Sequence, residues 1–396
     1  MAIPEVKEKE NYPAQKKESR ASKLGKFLPG IGLCLSVMVI GLYLAEVLGI
    51  AFNYLNGIST EASSPISGVF ISIILGLLIR NMIGLHPIFK NGVNFSIKFI
   101  LKLGIILLGI RLSFMDVVKL GSWGIPIIIL CIVSGIFITL WITKKLNQSY
   151  RLGTLIACGT GICGVTAILA TAPSIKAKED EVAYAIANIT LFGIISMILY
   201  PYIAFYLFQN DPIKVGIFLG TAIHDTAQVA GASLIYDQTF DNARVIDVAT
   251  ITKLTRNFLI IAVIPIISFY YLKSIPKDSN SKGAVTPKWY KLIPLFVIGF
   301  LILSAIRSIG DAGVSHSGFA FGLLTPENWA SFYSNLDTIG TKYMLGSAMA
   351  AVGLSTSLSV FKGLGIKPFY IGIIAALSVG VISVIMISLL GGLINF

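Results

Sequence analysis

Four short runs interrupt an otherwise apolar chain with residues able to bind or carry charge. The first is Cys158-Gly-Thr-Gly-Ile-Cys-Gly-Val-Thr166. Its three glycines weaken a helix. In lipid, freed backbone groups need partners, so such a break is tolerated only inside protein or beside a water-filled cavity. A broken helix offers a half-helix N-terminus whose N–H groups and dipole attract anions. That marks Thr160, Gly161, Cys163 and Gly164 as candidate binding positions, with Thr166 as a further hydroxyl donor. The plainer reading is close packing, because glycines also let membrane helices approach. The spacing lacks the Lys-Ser/Thr of a phosphate loop.

The second run is Gly220-Thr-Ala-Ile-His-Asp-Thr-Ala-Gln-Val-Ala-Gly-Ala-Ser233. Ionisable groups at membrane depth are costly and usually line a pathway or pair with each other. His224 and Gln228 share a helical face at i, i+4, and Thr221 joins them at i−3. A substrate or proton site competes here with a buried structural hydrogen-bond cluster. His224 and Asp225 are the candidates for a coupling proton. The third run is Lys253-Leu-Thr-Arg-Asn257, where Lys253, Arg256 and Asn257 project to one side at i, i+3 and i+4. A buried cation needs a partner, which either Asp225 or a bound anion can supply. Lys98, Lys102 and Arg111 form a weaker parallel set, and snorkelling explains Lys98 and Arg111 almost as well. The fourth run, Gly353-Leu-Ser-Thr-Ser-Leu-Ser359, makes Ser355, Thr356 and Ser357 candidates on an unwound stretch. Hydroxyls bonded to their own helix are the dull alternative.

Metal and hydrolytic chemistry fit poorly. The chain has three histidines and four cysteines, with neither Cys-x-x-Cys nor His-x-x-x-His spacing. No nucleophile-elbow pattern accompanies the serines. The reading is therefore of a non-enzyme with no cofactor and no metal.

The elements that must position these residues are membrane helices. The sequence is 55% hydrophobic and 13% charged, with mean hydropathy +0.83. A soluble domain carries roughly 25% charged residues. The net charge of +12 lies mostly in loops between apolar runs, where it orients a membrane protein. A nucleic-acid partner is excluded, since no soluble domain is left to hold a basic groove. The four cysteines all lie in apolar segments, which argues against a disulfide framework. Residues 1–26 read as a charged, disordered cytoplasmic tail rather than a cleavable signal.

Apolar windows place about eleven spans near residues 27–50, 65–85, 94–114, 123–143, 153–173, 181–208, 214–235, 243–271, 291–309, 337–360 and 368–394. Loop charge puts the N-terminus inside and the C-terminus outside. Lys144, Lys145, Arg151, Lys273, Lys277, Lys282, Lys288, Lys362 and Lys367 then face the cytoplasm, and Lys119, Lys176 and Lys178 stand as exceptions outside. The chain divides into a leading helix (27–60), a five-helix unit (61–210) and a second unit (211–396). Five is odd, so the halves enter from opposite sides, as in the inverted repeats of secondary transporters. Two echoes support this division: Lys102-Leu103 with Lys253-Leu254, and Ala157–Gly164 with Ala351–Ser357.

The runs Gly109-Ile-Arg-Leu-Ser-Phe114, Cys158–Gly164, His224-Asp-Thr-Ala-Gln228 and Lys253-Leu-Thr-Arg256 resemble the YeiH-type family, named for sulfate export. The resemblance covers the chain from Phe27 onward. That family is similar to the cation–proton antiporter and anion transporter superfamily. The likeness implies inverted five-helix repeats and two broken helices crossing near the midplane, here spans five and ten. It also implies a core moving against a scaffold, in a homodimer. The paired acidic residues of the antiporters are not evident, and span six offers Asn188 and Thr190 instead.

The expected function is secondary transport of a small anion, sulfate or an organosulfonate, across the cytoplasmic membrane. A passive channel or a sensor on the same fold is the alternative, and a membrane-embedded enzyme is the remote one.

Overall fold

The computed structural model describes residues 25–56, 59, 64, 66–274, 294–357, 359 and 366–391. The proposed tail falls almost entirely outside them. The described residues are helical apart from turns and one isolated bridge, Ala320 to Leu324.

The first helices are α1 (Leu28–Leu55), α2 (Gly68–Ile83), α3 (Pro87–Arg111) and α4 (Phe114–Lys145). Next come α5 (Tyr150–Gly161), α6 (Val165–Thr171), α7 (Glu179–Phe208), α8 (Pro212–Ala222) and α9 (Thr226–Phe240). The last are α10 (Arg244–Phe258), α11 (Ile260–Ser274), α12 (Leu295–Ser317), α13 (Pro326–Thr338), α14 (Gly346–Ser355) and α15 (Ile366–Leu390). Among the described residues six helices are long and apolar enough to cross a bilayer, or seven if α10 and α11, bent by 44°, count as one span.

Two windows expected to be single spans fold as helical hairpins. Between α5 and α6, Gly164 takes φ +70° and ψ −126°, a region open to glycine. The chain reverses there. Gly159 lies against Ile168, and Leu155, Ile156, Ile168 and Ile175 share one core cluster. A continuous helix would hold residues nine apart about 13 Å from each other. The hairpin's two ends come back together at the start of α7: Ser149 donates to Glu181 (2.6 Å) and Arg151 pairs with it (3.4 Å).

The second hairpin is α8 with α9. Asn242 Nδ2 donates to the Asn210 backbone carbonyl (3.1 Å) and to its Oδ1 (3.0 Å), and Tyr236 donates to the same Oδ1 (2.8 Å). Pro212 at the first turn and Asp211 as N-cap start α8, and Asp225 caps α9. Between the two hairpin bases runs α7, 30 residues long, or about 45 Å. The hairpins therefore enter from opposite ends, and their tips meet near Gly193, the middle of α7.

This revises the expectation in two ways. Windows 153–173 and 214–235 are out-and-back hairpins, not crossings. The break that meets the first tip lies in the seventh window, not the tenth. Lys176 and Lys178, read as outside exceptions, consequently lie at the same end as Lys144 and Lys145.

Around the hairpins stand α4, α7, α10, α11 and α15. The remaining helices α1, α2, α3, α12, α13 and α14 form a second group. Small residues let its members touch: Gly30 of α1 meets Gly92 of α3, and Gly76 of α2 meets Gly353 of α14.

Gly164→Ala introduces a Cβ 2.9 Å from Asp225 Oδ2 at a positive φ. The expected cost is about 1–3 kcal/mol, read as a lower melting temperature of the detergent-purified protein.

Candidate functional site

The first tip ends α5 and the second ends α8, so each presents carbonyls that no helix satisfies. Two buried cations on α10 take them. Lys253 Nζ donates to Ile162 O (3.1 Å), to Ile223 O (3.0 Å) and to His224 O. Arg256 donates to Gly161 O (3.0 Å), Thr160 O (2.6 Å), Thr221 O (2.6 Å) and Ile223 O (3.3 Å). Both side chains are fully buried. The i, i+3 spacing read from the sequence aims them together, but their partners are main-chain carbonyls. Among the described residues no ion pair joins either cation to Asp225.

The half-helix N-termini face one carboxylate. Asp225 Oδ1 accepts from Ala227 N (2.8 Å), and the Val165 amide at the start of α6 points at the same group. Gln228 completes a capping box by accepting from Asp225 N (3.3 Å) and anchors it to α7 by donating to Thr190 O (3.1 Å). Gly193 lies so close to the Gln228 side chain that a Cβ there would overlap it.

Beside the tips lies open space. A cavity of about 560 Å³ is lined by Lys98, Lys102, Cys163, Thr166, Thr226 and Asn257, among others. A neighbouring one of about 420 Å³ shares Lys98, Lys102, Thr166, Thr226 and Phe296, and reaches Thr190, Asp225, Gln228, Ser355 and Thr356. The far wall is α3, α12 and α14. A π turn at Ser96–Ile100 interrupts α3 and carries Lys98, and such turns are frequent at functional sites. Lys102 Nζ lies 6.0 Å from the Phe296 ring centroid. Neither lysine has an acidic partner among the described residues.

The sequence candidates divide accordingly. Cys163, Asp225, Gln228, Asn257, Ser355 and Thr356 line the cavities. Thr160, Gly161, Lys253 and Arg256 form the tip junction behind them, and Gly164 touches Asp225. His224 is fully buried and lines neither cavity. Ser357 is bonded to Ser359 (2.7 Å). Ser355 and Thr356 each donate to Val352 O, the local bonding that was the dull alternative. Lys98, Lys102, Thr166, Thr190 and Thr226 were outside the main candidate set. The signal for the lysines was present: two cations at i, i+4 in the middle of an apolar run.

A family model described as Conserved hypothetical protein 698 matches residues 40–372. The chain belongs to that family. It is 33% identical over 371 residues to a UPF0324 membrane protein of Bacillus anthracis, covering 92% of this chain and 95% of the relative. It is 31% identical over 368 residues to one of Streptococcus agalactiae, at 92% and 98% coverage. A Fusobacterium nucleatum relative is 31% identical over 333 residues, at 83% and 91%. The resemblance to the YeiH-type family agrees with this membership, and the family matches establish a membrane protein.

Removing the guanidinium tests the junction. Arg256→Leu orphans the carbonyls of Thr160, Gly161 and Thr221, at about 1–3 kcal/mol for each buried group. Folded, monodisperse protein should be largely lost in gel filtration. Near-normal yield would contradict the capping role.

Proposed function

We propose that this protein is a secondary transporter of a small anion in the cytoplasmic membrane. The observation that carries the reading is the meeting of two opposed helical hairpins beside a cavity whose lysines have no acidic partner among the described residues. Interrupted helices at mid-depth are where transporters place their sites, and an ionisable residue there is a functional candidate by default. Lys98 and Lys102 supply positive charge, and the hydroxyls of Thr166 and Thr226 with the amide of Asn257 supply hydrogen bonds.

In this reading the chain makes nine crossings: α1, α2, α3, α4, α7, α10 with α11, α12, α13 with α14, and α15. The two hairpins are re-entrant. Inverted symmetry then resides in the opposed hairpins rather than in a five-plus-five division at residue 210. The end bearing Lys144, Lys145, Arg151, Lys176 and Lys178 is cytoplasmic by the positive-inside rule. At the opposite end Arg111, Lys214 and Arg307 are each paired with an aspartate. The N-terminus is inside and the C-terminus outside.

Alternating access moves the hairpin group against the second group, in a homodimer held by the second group. Among the described residues, polar links between the groups lie at the outer end. Arg111 on α3 pairs with Asp247 on α10 (2.7 Å), Ser67 and Val69 donate to Gln238 on α9 (2.9 and 3.1 Å), and Phe114 N donates to Ser308 (2.7 Å). Asp225 is the coupling group. Its carboxylate lines the smaller of the two cavities, which shares Lys98, Lys102, Thr166 and Thr226 with the larger, and it repels an anion arriving there, so a proton bound there favours loading. His224, enclosed behind the tips, is less suited to that role. A passive channel or a sensor lacks such coupling.

Purified protein in proteoliposomes should accumulate labelled sulfate or sulfonate when a pH gradient is imposed. Uptake no faster than in empty vesicles overturns the reading. Asp225→Asn keeps an N-cap acceptor but removes the titrating group, so residual transport should lose its response to the gradient. A cysteine placed at Lys176 should react with an impermeant thiol reagent only when the cytoplasmic face is exposed. Labelling from the outside would restore the eleven-crossing topology.

A further inference from the structure

The larger cavity is too big and too apolar for an inorganic ion alone. Water occupies roughly 30 Å³ per molecule in the liquid. A tetrahedral oxyanion a few waters in size would leave most of about 560 Å³ unfilled. Sites of roughly 300–1,000 Å³ lined by apolar and aromatic groups with a few placed polar ones suit organic ligands.

The lining combines a few polar groups with apolar side chains. Thr226 and Asn257 stand together at the α9 N-terminus, where Asn257 Nδ2 donates to Thr226 Oγ1 (3.2 Å). Asn257 is 2% exposed, and its Oδ1 has no hydrogen-bond partner among the described residues. Lys102 of α3 lines the same cavity, with Phe296 beside it. The same lining includes Phe99, Leu103, Ile106, Ile260 and Leu295, with Lys98 one helical turn from Lys102 on α3. A charged head on these polar groups therefore leaves room for several carbon atoms against the apolar side chains, where burial contributes about 25 cal/mol per Å².

Resting on the transporter reading above, we infer that the substrate is an amphipathic organic anion. One sulfonate or carboxylate head would be held by Lys102 and by the Thr226–Asn257 pair. An apolar body, aryl or short alkyl, would lie against Phe296, Leu103 and Ile106. The unpartnered Asn257 oxygen accepts a hydrogen bond from a hydroxyl or amino group next to the head, or from a water the head carries.

Three labelled probes separate the possibilities: benzenesulfonate, benzoate and inorganic sulfate, each tested for uptake in proteoliposomes and for thermal stabilisation of the purified protein. The expected result is uptake of an organic anion at least about tenfold more efficient than that of sulfate. The two organic probes tell the head groups apart. Leu103→Trp fills the apolar wall, and it should lower the organic-to-sulfate preference about tenfold. Phe296→Ala should lower it also, which covers a failure of either variant to fold. Sulfate carried as well as or better than both organic anions overturns the substrate class and leaves the transporter reading standing. Organic anions that stabilise the protein but never move overturn transport and keep the ligand class. No movement and no stabilisation by any probe overturns both.

Discussion

Buried helix ends are the constraint that organises this molecule. A hairpin that turns inside the protein strands the carbonyls of its first helix and the amides of its second. Here two hairpins do so at one place. Lys253 and Arg256 bind six carbonyls between them, those of residues 160, 161 and 162 from one tip and 221, 223 and 224 from the other. Asp225 faces the amides of both second helices. An orphaned buried carbonyl is costly, and so is an unpaired buried cation. Each problem supplies the other's solution. The charges also match the dipoles, cations at the two C-termini and a carboxylate at the two N-termini.

That division of labour decides what remains free for function. Cations saturated by main-chain carbonyls have little donor capacity left for a ligand, which moves attention to the other wall of the cavity. There the lysines of α3 stand on and beside a π turn and have no acidic partner among the described residues. The junction is a platform of short helices, and α7 ties it in place through Thr190 O and Gln228. The facing wall belongs to the second helical group. A site built between two groups is well placed to change when they move relative to each other.

How much of this was legible beforehand follows from what each signal measures. Apolar windows report burial in lipid or protein, and they placed the helical segments well. They do not report direction: 153–173 is as apolar as a crossing, yet it reverses at Gly164. The glycine cluster signalled the break, while hydropathy has no means of distinguishing a kink from a hairpin. Loop charge did carry the information. Lys176 and Lys178 violated the eleven-span topology because the hairpin returns them to the end they left. The one-sided spacing of Lys253 and Arg256 was readable, but a carbonyl partner leaves no mark in side-chain sequence. The echo between residues 157–164 and 351–357 is ambiguous for a related reason. Gly353 is small because Gly76 and the Ile73 carbonyl press against it, and helix packing and helix breaking select the same residue.

Arg111 shows how the second group is held against the first. Its guanidinium is mostly shielded, and it bridges Asp247 of the hairpin group and Asp337 of α13 while also reaching Ala243 O. A charge pair in such a setting is expensive to break by removing one partner. Separating the whole interface so that water reaches both sides is different, because solvent replaces the lost contact. The same pairs can therefore be strong against mutation and modest against rigid-body opening. The links at Gln238 and Ser308 lie at that end too, whereas the lysines of α3 and the cavity lie deeper. Opening there must release these contacts together. This makes a two-state motion between packed groups easier than gradual deformation of either one.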